Sequence, residues 1–273
     1  MSGGNPNLTA EKSDSYTYGA VIQPHWIPGL SLTADYFNIK VKQAISSIDA
    51  QTIANFCYDL ASGNQAYCSL FQRAGPGGGP AGEIPFQILE GSLLASSANF
   101  GLLRARGIDS EFAYNHQIGN IGRASLRLNY SHVIQRDDFV DPNNPNYKTR
   151  YRGNVGTPID RFVLNTELKT GPITFGYRLR WIGKQYVGDV TDYNPLNGNP
   201  PADPYYANYE YYPVIAYHDL RLGIDAGNKF NFYLGADNVT NKHPPFDLTG
   251  LGAGSGIYDV RGRYLYAGVA AKF

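Results

Sequence analysis

The chain has 273 residues, and its 23 basic and 23 acidic side chains give a formal net charge of zero. A balanced charge argues against the class of proteins that bind nucleic acid or other polyanions through a basic surface. The mean hydropathy of −0.34 and the lack of an apolar run of about 18 residues exclude a membrane-spanning helix. A β-barrel is the remaining structure by which such a chain can cross a membrane.

Tyrosine and glycine are abundant, at 22 and 31 residues, whereas the chain has one Met and two Cys. This composition suits a barrel with aromatic girdles and tightly turning strands. It also suits a secreted β-sandwich, so composition alone leaves both classes open.

Nine segments are predicted to be strands, and several exceed ten residues, whereas strands of globular proteins usually have about 5–6. In chain order they are Ser13–Gln23, Leu30–Ile45, Arg104–His116, Arg123–Arg136, Thr157–Lys169, Ile173–Val187, Val214–Ala226, Phe230–Asn238 and Gly256–Phe273. Along these strands apolar residues alternate with more polar ones. In the strand Ile173–Val187, for example, Ile173, Phe175 and Tyr177 occupy every second position. Alternation by itself fits a half-buried sandwich as well as a barrel.

The connections between these strands alternate between short and long. Four short turns, Pro24–Gly29, Gln117–Gly122, Thr170–Pro172 and Gly227–Lys229, all fall on one side of an up-and-down sheet. Outer-membrane barrels have short periplasmic turns and long extracellular loops. The spacing therefore favours an all-β, antiparallel, up-and-down transmembrane barrel segment with its long loops outside the cell.

The last strand ends on the aromatic residue Phe273 at the C-terminus, which is a familiar ending of outer-membrane barrels and a candidate barrel-assembly signal. Nine strands is an odd number, and single-chain bacterial barrels normally close with an even number. The chain is therefore not expected to close a normal barrel by itself.

Both ends of the chain carry short motifs that resemble those of TonB-dependent receptors, in their order and spacing. The first set is Gly4, Asn5, Pro6, Leu8, Glu11, Ser13 and Gly19, and the second is Asn238, Asn241, Lys242, Tyr258, Asp259, Gly262, Arg263, Tyr264 and Phe273. Ala10 stands where the family usually has Pro. The chain is similar to the C-terminal part of the barrel of that family.

The resemblance implies a barrel of about 22 strands around an N-terminal plug, which takes up iron–siderophore complexes, cobalamin, haem or oligosaccharides with energy delivered through TonB. Residues 1–273 are then one C-terminal barrel portion, without the plug, the signal peptide and about thirteen strands. Residues 1–16 show neither the basic nor the apolar stretch of a signal peptide. The chain is expected to be a fragment or a truncated product, not competent for transport alone.

The implied location is the outer membrane of a Gram-negative cell. The implied partners are outer-membrane lipid, the plug and the remaining strands, the barrel-assembly machinery, and TonB only through the plug. A small-molecule ligand is implied without being identified, since a siderophore and an oligosaccharide fit the long loops equally well. No nucleic acid partner and no cofactor are expected.

Cys57 and Cys68 lie in the long connection that the barrel reading places outside the cell. An oxidising compartment favours a disulfide between them, worth about 2–3 kcal/mol for so short a loop, with free thiols as the alternative. A metal site would need further ligands, and a catalytic thiol would need a nearby base. The neighbouring glycine-rich stretch Gly75–Gly82 lacks the GK[ST] of a phosphate-binding loop.

Six tyrosines cluster in or beside the predicted loop 188–213: Tyr193, Tyr205, Tyr206, Tyr209, Tyr211 and Tyr212. They are candidate ligand-contacting residues, because aromatic rings stack on sugars and catecholate groups. An outer aromatic girdle with loop packing explains them more simply and is the favoured interpretation.

Charged side chains of both signs are predicted to face the interior, where cross-strand pairing and contacts with a plug explain them. They are Asp109, Glu111, Arg127, Arg161, Glu167, Arg178, Arg180, Asp219, Arg221 and Asp225. The five His residues are scattered over different elements, so no metal site and no catalytic constellation is predicted, and the chain is not expected to be an enzyme. Two alternatives stay open: a non-transporting surface β-protein that binds ligands through its loops, and a soluble secreted carbohydrate-binding sandwich.

Overall fold

Strands make up most of the structure, a computed structural model that describes residues 8–47, 50–58, 65–93, 97–139, 148–187, 211–227, 229–246 and 256–271. The elements in chain order are β1 (Lys12–Ile22), β2 (Leu30–Ser47), α1 (Ala50–Tyr58), α2 (Gln65–Cys68), β3 (Ser97–Ile118), β4 (Gly122–Phe139), β5 (Thr149–Arg150), β6 (Asp160–Thr170), β7 (Ile173–Ile182), β8 (Gln185–Tyr186), β9 (Tyr211–Tyr212), β10 (Ile215–Ala226), β11 (Phe230–Asp237) and β12 (Tyr264–Ala271).

One sheet contains the long strands in the order β1-β2-β3-β4-β6-β7-β10-β11-β12, and the two-residue β5 pairs with β4. Each long strand lies beside the next long strand of the sequence, and the pairings from β4 to β12 are antiparallel. The predicted fold class, an all-β antiparallel up-and-down segment of about nine strands, is confirmed.

The predicted turns lie where the antiparallel register needs them. Thr170 pairs with Ile173, so Gly171 and Pro172 alone connect β6 to β7. Gly171 has a φ of +52°, a left-handed conformation that costs glycine much less than other residues. Because this turn signal is local, the sequence predicts the start of β7 at Ile173 correctly.

The last strand differs from its prediction. β12 begins at Tyr264, eight residues after Gly256, and Phe273 lies outside the described residues. Residues 256–263 form turns and bends, in which Asp259 Oδ1 accepts a hydrogen bond of 3.1 Å from the Arg261 N–H. Gly262 has a φ of +72°. Side-chain hydrogen bonding and left-handed backbone stop this segment from extending.

Other elements also differ from the prediction. β3 begins at Ser97, seven residues before Arg104, and the predicted sixth strand divides into β7 and the short β8. The chain leaves the sheet at Gly183, whose N–H donates to the Asp160 carbonyl at 3.0 Å. The short helices α1 and α2 occur in the long connection between β2 and β3, for which no helix was predicted.

No helix within the described ranges is long and apolar enough to span a membrane.

The chain divides into two compact units. The first, Met1–Asp14, Val41–Leu103 and Phe139–Pro145, contains the helices and the cysteines. Its described part has a small core of Ile53, Cys57, Tyr67, Phe71 and Ala74. The second, Ser15–Lys40, Arg104–Asp138 and Asn146–Phe273, contains most of the sheet.

The apolar face of the sheet is continuous across its strands in the second unit. Cross-strand pairing places Phe175 opposite Leu222 and Leu222 opposite Leu234. The next row along the strands joins Ile224 to Phe232 in the same way. These rings and aliphatic groups stay exposed, as the values for Phe175 (47%), Phe232 (50%) and Leu234 (55%) show.

A soluble β-sandwich would bury such a face against a second sheet. No second sheet covers it in the part of the chain that the structure describes, where the other sheet is the two-stranded pair β8–β9. The exposed apolar face therefore favours a strand surface that faces lipid over a soluble sandwich.

Candidate functional site

The polar face of the sheet lines a concave cavity of about 520 Å³. Its walls come from successive strands of the second unit, because side chains on alternate residues point to the same face. The charged residues that line it are Arg127, Glu167, Arg178, Asp219, Arg221 and Asp237. Five of these six charged positions were predicted to face the interior; the exception is Asp237.

Opposite charges pair along this face. Arg127 Nε lies 3.8 Å from Glu111 Oε2, and Lys169 Nζ lies 3.0 Å from Asp225 Oδ2. The Arg221 guanidinium lies over the Tyr233 ring at 5.0 Å. The inner face is thus hydrophilic and of mixed charge, which suits contact with water or with a polar molecule.

At the loop end of the same face, Arg180 connects three parts of the chain. Its Nε donates to Asp219 Oδ2 at 3.2 Å, and its Nη2 donates to Asp259 Oδ2 at 3.1 Å. Asp219 also accepts the N–H of Asn238 at 2.8 Å. The two acidic side chains are almost fully buried. A buried carboxylate needs a charged partner and further hydrogen bonds, and this arrangement supplies both.

Aromatic and aliphatic side chains pack beside this ion pair. Ile182, Ile215, Tyr217 and Tyr258 form a buried cluster. The Tyr258 hydroxyl accepts a hydrogen bond of 2.6 Å from Gln185 Nε2, and burial raises the pKa of Tyr258 to about 12. The Asp259 N–H donates to the Tyr217 hydroxyl at 3.1 Å. Residues 256–261 thus fold over the inner face instead of extending as a strand.

The polar motif that follows β11 fixes the other end of this segment. The Asn238 amide donates to the Lys242 carbonyl and accepts the Lys242 N–H, both at 2.8 Å. Asn241 Oδ1 accepts the Arg263 N–H at 2.9 Å, and a Cβ atom on Gly262 would lie 2.8 Å from that oxygen. The motif residues near the C-terminus therefore contact one another directly.

Sequence reasoning found part of this arrangement. Arg180 and Asp219 were predicted to face the interior, and Asp259 was noticed only as a motif residue. Gln185 and Tyr217 were missed, because a single polar or aromatic residue at a strand end has no local pattern. Their contacts appear only in the folded chain, where the pairing of β7 with β10 places Tyr217 opposite Arg180, and Gln185 donates to Tyr258.

The predicted tyrosine cluster is only partly within the described residues: Tyr193, Tyr205, Tyr206 and Tyr209 lie outside them. Tyr211 and Tyr212 form β9, which pairs with β8. The Tyr211 ring lies 4.9 Å from the Tyr186 ring and 4.1 Å from Lys184 Nζ, whereas Tyr212 is buried. Tyr211 therefore remains a candidate contact residue, and Tyr212 packs inside the protein.

Aromatic side chains also form a row across the apolar face. Tyr130 pairs with Phe162, and Phe162 pairs with Trp181, whose ring stacks on that of Phe162 at 5.2 Å. One row further along, Asp160 accepts the Tyr130 hydroxyl at 2.6 Å and lies 2.7 Å from His132 Nδ1. The change from apolar to aromatic to charged side chains is typical of a membrane–water interface.

Cys57 and Cys68 lie in the first unit with their sulfur atoms 2.07 Å apart and their Cα atoms 4.9 Å apart. The adjacent glycine-rich loop is organised by Glu83, whose carboxylate accepts the N–H groups of Ala81 at 2.9 Å and Glu90 at 3.0 Å. Donation by the Glu90 N–H lowers the pKa of Glu83 from its ordinary value.

Among the described residues no group of three or more His, Cys, Asp or Glu side chains is arranged to hold a metal ion.

A family model described as TonB dependent receptor-like, beta-barrel matches residues 1–239. No curated protein matches the chain. Among solved structures, the ferric enterobactin receptor of Pseudomonas aeruginosa in complex with enterobactin is similar with a TM-score of 0.60 and 17% identity over 100% of this chain. The FrpB iron transporter of Neisseria meningitidis is similar with a TM-score of 0.59 and 13% identity, again over 100% of this chain. The siderophore receptor PirA of Acinetobacter baumannii has a TM-score of 0.58 and 11% identity over the same share of the chain.

These three structures share the fold, and the chain spans about a third of the length of each, at 33%, 32% and 33% respectively.

Proposed function

The chain belongs to the TonB-dependent receptor family, whose members are outer-membrane transport receptors, and we propose that it forms the C-terminal part of a barrel that takes up a ferric siderophore. The observation that carries this proposal is the two-faced sheet. Its outer face is apolar and ends in an aromatic row, and its inner face is polar and of mixed charge.

The ligand class in this proposal is supported by the solved structures that share the fold, which are named as a ferric enterobactin receptor, an iron transporter and a siderophore receptor. An oligosaccharide is the competing ligand class. In this proposal the chain has no catalytic role, and TonB acts through a plug that belongs to the same complete receptor.

Uptake of ⁵⁵Fe-labelled siderophores by the source cells tests the proposal. We expect deletion of the coding region of this chain to abolish uptake of at least one ferric siderophore, and expression of the complete gene to restore it. Unchanged uptake of every siderophore, together with loss of growth on an oligosaccharide, would instead assign the competing ligand class.

The proposal also places the long loops outside the cell. The exposed residues Val155, in a long connection, and Asn120, in a short turn, are suitable positions for single cysteines. We expect a membrane-impermeant maleimide to label Val155→Cys in intact cells, and Asn120→Cys only after the outer membrane is permeabilised. The reverse pattern would contradict this orientation.

A further inference from the structure

The final strand, β12, specifies its own position in the sheet only weakly. Its eight residues, Tyr264–Ala271, include Ala267, Gly268, Ala270 and Ala271. Because side chains alternate with a period of two, a slip of two residues keeps Leu265, Ala267 and Val269 on the apolar face. The hydrophobic pattern therefore does not distinguish the observed register from one that is shifted by two residues.

Two tyrosine–glycine pairs on the inner face do distinguish these registers. Tyr266 lies opposite Gly235, and Tyr233 lies opposite Gly268. A Cβ atom on either glycine would overlap the ring or hydroxyl of the tyrosine opposite it. Each ring thus occupies the space that its glycine leaves open.

A slip of two residues destroys both pairs. In one direction Tyr266 would lie opposite Tyr233 and Tyr264 opposite Gly235, so neither Tyr233 nor Tyr266 would keep the glycine that now leaves room for its ring. In the other direction Gly268 would lie opposite Gly235, which leaves both tyrosines without a glycine beneath them. In the observed register the Tyr233 ring also supports the Arg221 guanidinium at 5.0 Å.

The segment before β12 restricts its register independently. Arg180 holds Asp259 against the inner face at 3.1 Å, and Asn241 Oδ1 holds the Arg263 N–H at 2.9 Å. Tyr264 follows directly and pairs with Asp237. With both attachment points held, the chain has no slack with which to advance β12 by two residues, which is about 6.8 Å along a strand.

We propose that the two tyrosine–glycine pairs and the Arg180–Asp259 ion pair together form a register lock for the final strand. Tyr266, Tyr233 and Arg180 are positioning residues in this lock. They set the height at which the apolar residues of β12 and its outer edge are presented to the membrane. The lock goes beyond the proposed transport function, because it would fix the register of β12 whatever ligand the receptor takes up.

Cysteine cross-linking in the outer membrane measures the register directly. Leu234 pairs with Ala267, so Leu234→Cys with Ala267→Cys reports the observed register. Leu234→Cys combined with Leu265→Cys or Val269→Cys reports the two slipped registers. The chain is oxidised with copper phenanthroline in outer membranes, and the cross-linked peptides are quantified by mass spectrometry.

In the parent background we expect the 234–267 cross-link to exceed either slipped cross-link about tenfold, a ratio that corresponds to roughly 1.4 kcal/mol. Tyr266→Ala and Asp259→Asn should each reduce this ratio at least threefold, and together they should bring it close to one. Arg161→Gln is the control for loss of one charge, because Arg161 is an exposed residue at the same end of β6, the strand beside β7, and takes no part in the lock. It should leave the ratio unchanged.

The lock is overturned if the Tyr266→Ala, Asp259→Asn double variant has the same ratio of the 234–267 cross-link to the slipped cross-links as the parent. If the double variant does not insert into the membrane, a second variant tests the lock. It combines Gly235→Tyr with Tyr266→Gly, so that the tyrosine and the glycine of this pair exchange places. Recovery of the 234–267 cross-link in that variant supports the lock, and slipped or absent cross-links overturn it. The cross-linking experiment does not measure siderophore uptake. A negative result for the register lock is therefore distinguishable from a negative result for the proposed function.

Discussion

Arg180 illustrates how single residues organise this chain. One guanidinium bonds to Asp219 of β10 and to Asp259 of the segment before β12. Removal of one partner from such a buried pair leaves an uncompensated charge. The planar guanidinium can bond to two carboxylates at once through different nitrogens, which a lysine ammonium does with less directional precision.

At the same scale, Glu83 gives the glycine-rich loop a dependence on pH. The Glu90 and Ala81 N–H groups lower the pKa of Glu83 in the folded loop. Its stabilising contribution is therefore complete above the ordinary Glu pKa and is lost as the pH falls through the folded value.

We expect the amide NMR signals of Ala81 and Glu90 to titrate together at a pH below that of an exposed glutamate. Glu83→Gln should abolish this titration, and Glu90→Gln should retain it. Titration of both amides in the Glu83→Gln protein would contradict the assignment.

The cysteine pair gives a second prediction for individual residues. Cys57 and Cys68 join α1 to α2, and closure of such a short loop is worth about 3 kcal/mol. Alkylation of the untreated protein should modify neither residue, whereas alkylation after reduction should modify both. Reduction, or the double change Cys57→Ser and Cys68→Ser, should also increase protease cleavage between Gly75 and Gly82. Alkylation without reductant would show free thiols.

At the scale of elements, the two faces of a strand differ in their tolerance of charge. Leu220 lies on the apolar face of β10, and Ser125 lies on the polar face of β4 opposite Glu167. They lie at similar heights in the sheet, because cross-strand pairing connects Leu220 through Tyr177 and Thr166 to Leu126, the neighbour of Ser125.

Leu220→Arg should therefore destabilise the folded protein in lipid vesicles by about 2–4 kcal/mol, since arginine on a lipid-facing surface is costly at this depth. Ser125→Arg, the matched control, should change the urea midpoint by much less because it faces the polar side near a carboxylate. Equal effects of the two changes would refute the assignment of the faces.

At the scale of the whole chain, the order of the sheet has β1 and β12 at its two ends. Exposed strand edges pair with other chains, and an uncovered apolar face associates in water. We expect the isolated chain to aggregate in buffer and to become monodisperse in detergent micelles, as light scattering would show. A monodisperse monomer without detergent would contradict the barrel assignment.

The sequence by itself determined the strands whose signals are local. β7 begins at Ile173 as predicted, because a Gly-Pro turn and a strict alternation of apolar residues stand next to each other in the chain. The same alternation determined which face of β4, β7 and β10 is apolar, and the order of turns and loops determined the up-and-down arrangement. These features depend on neighbours within a few residues of one another.

Only the tertiary structure decided where β12 begins and what its inner face contacts. Residues 256–263 alternate well enough to be read as a strand, but Arg180, Tyr217 and Gln185 bind Asp259 and Tyr258 from strands far away in sequence. A local pattern cannot include such partners, since the free energy gained by burying a carboxylate against a distant arginine arises only after the strands pair. For the same reason the tyrosine–glycine pairs of β11 and β12 become visible only in the register that the folded sheet adopts.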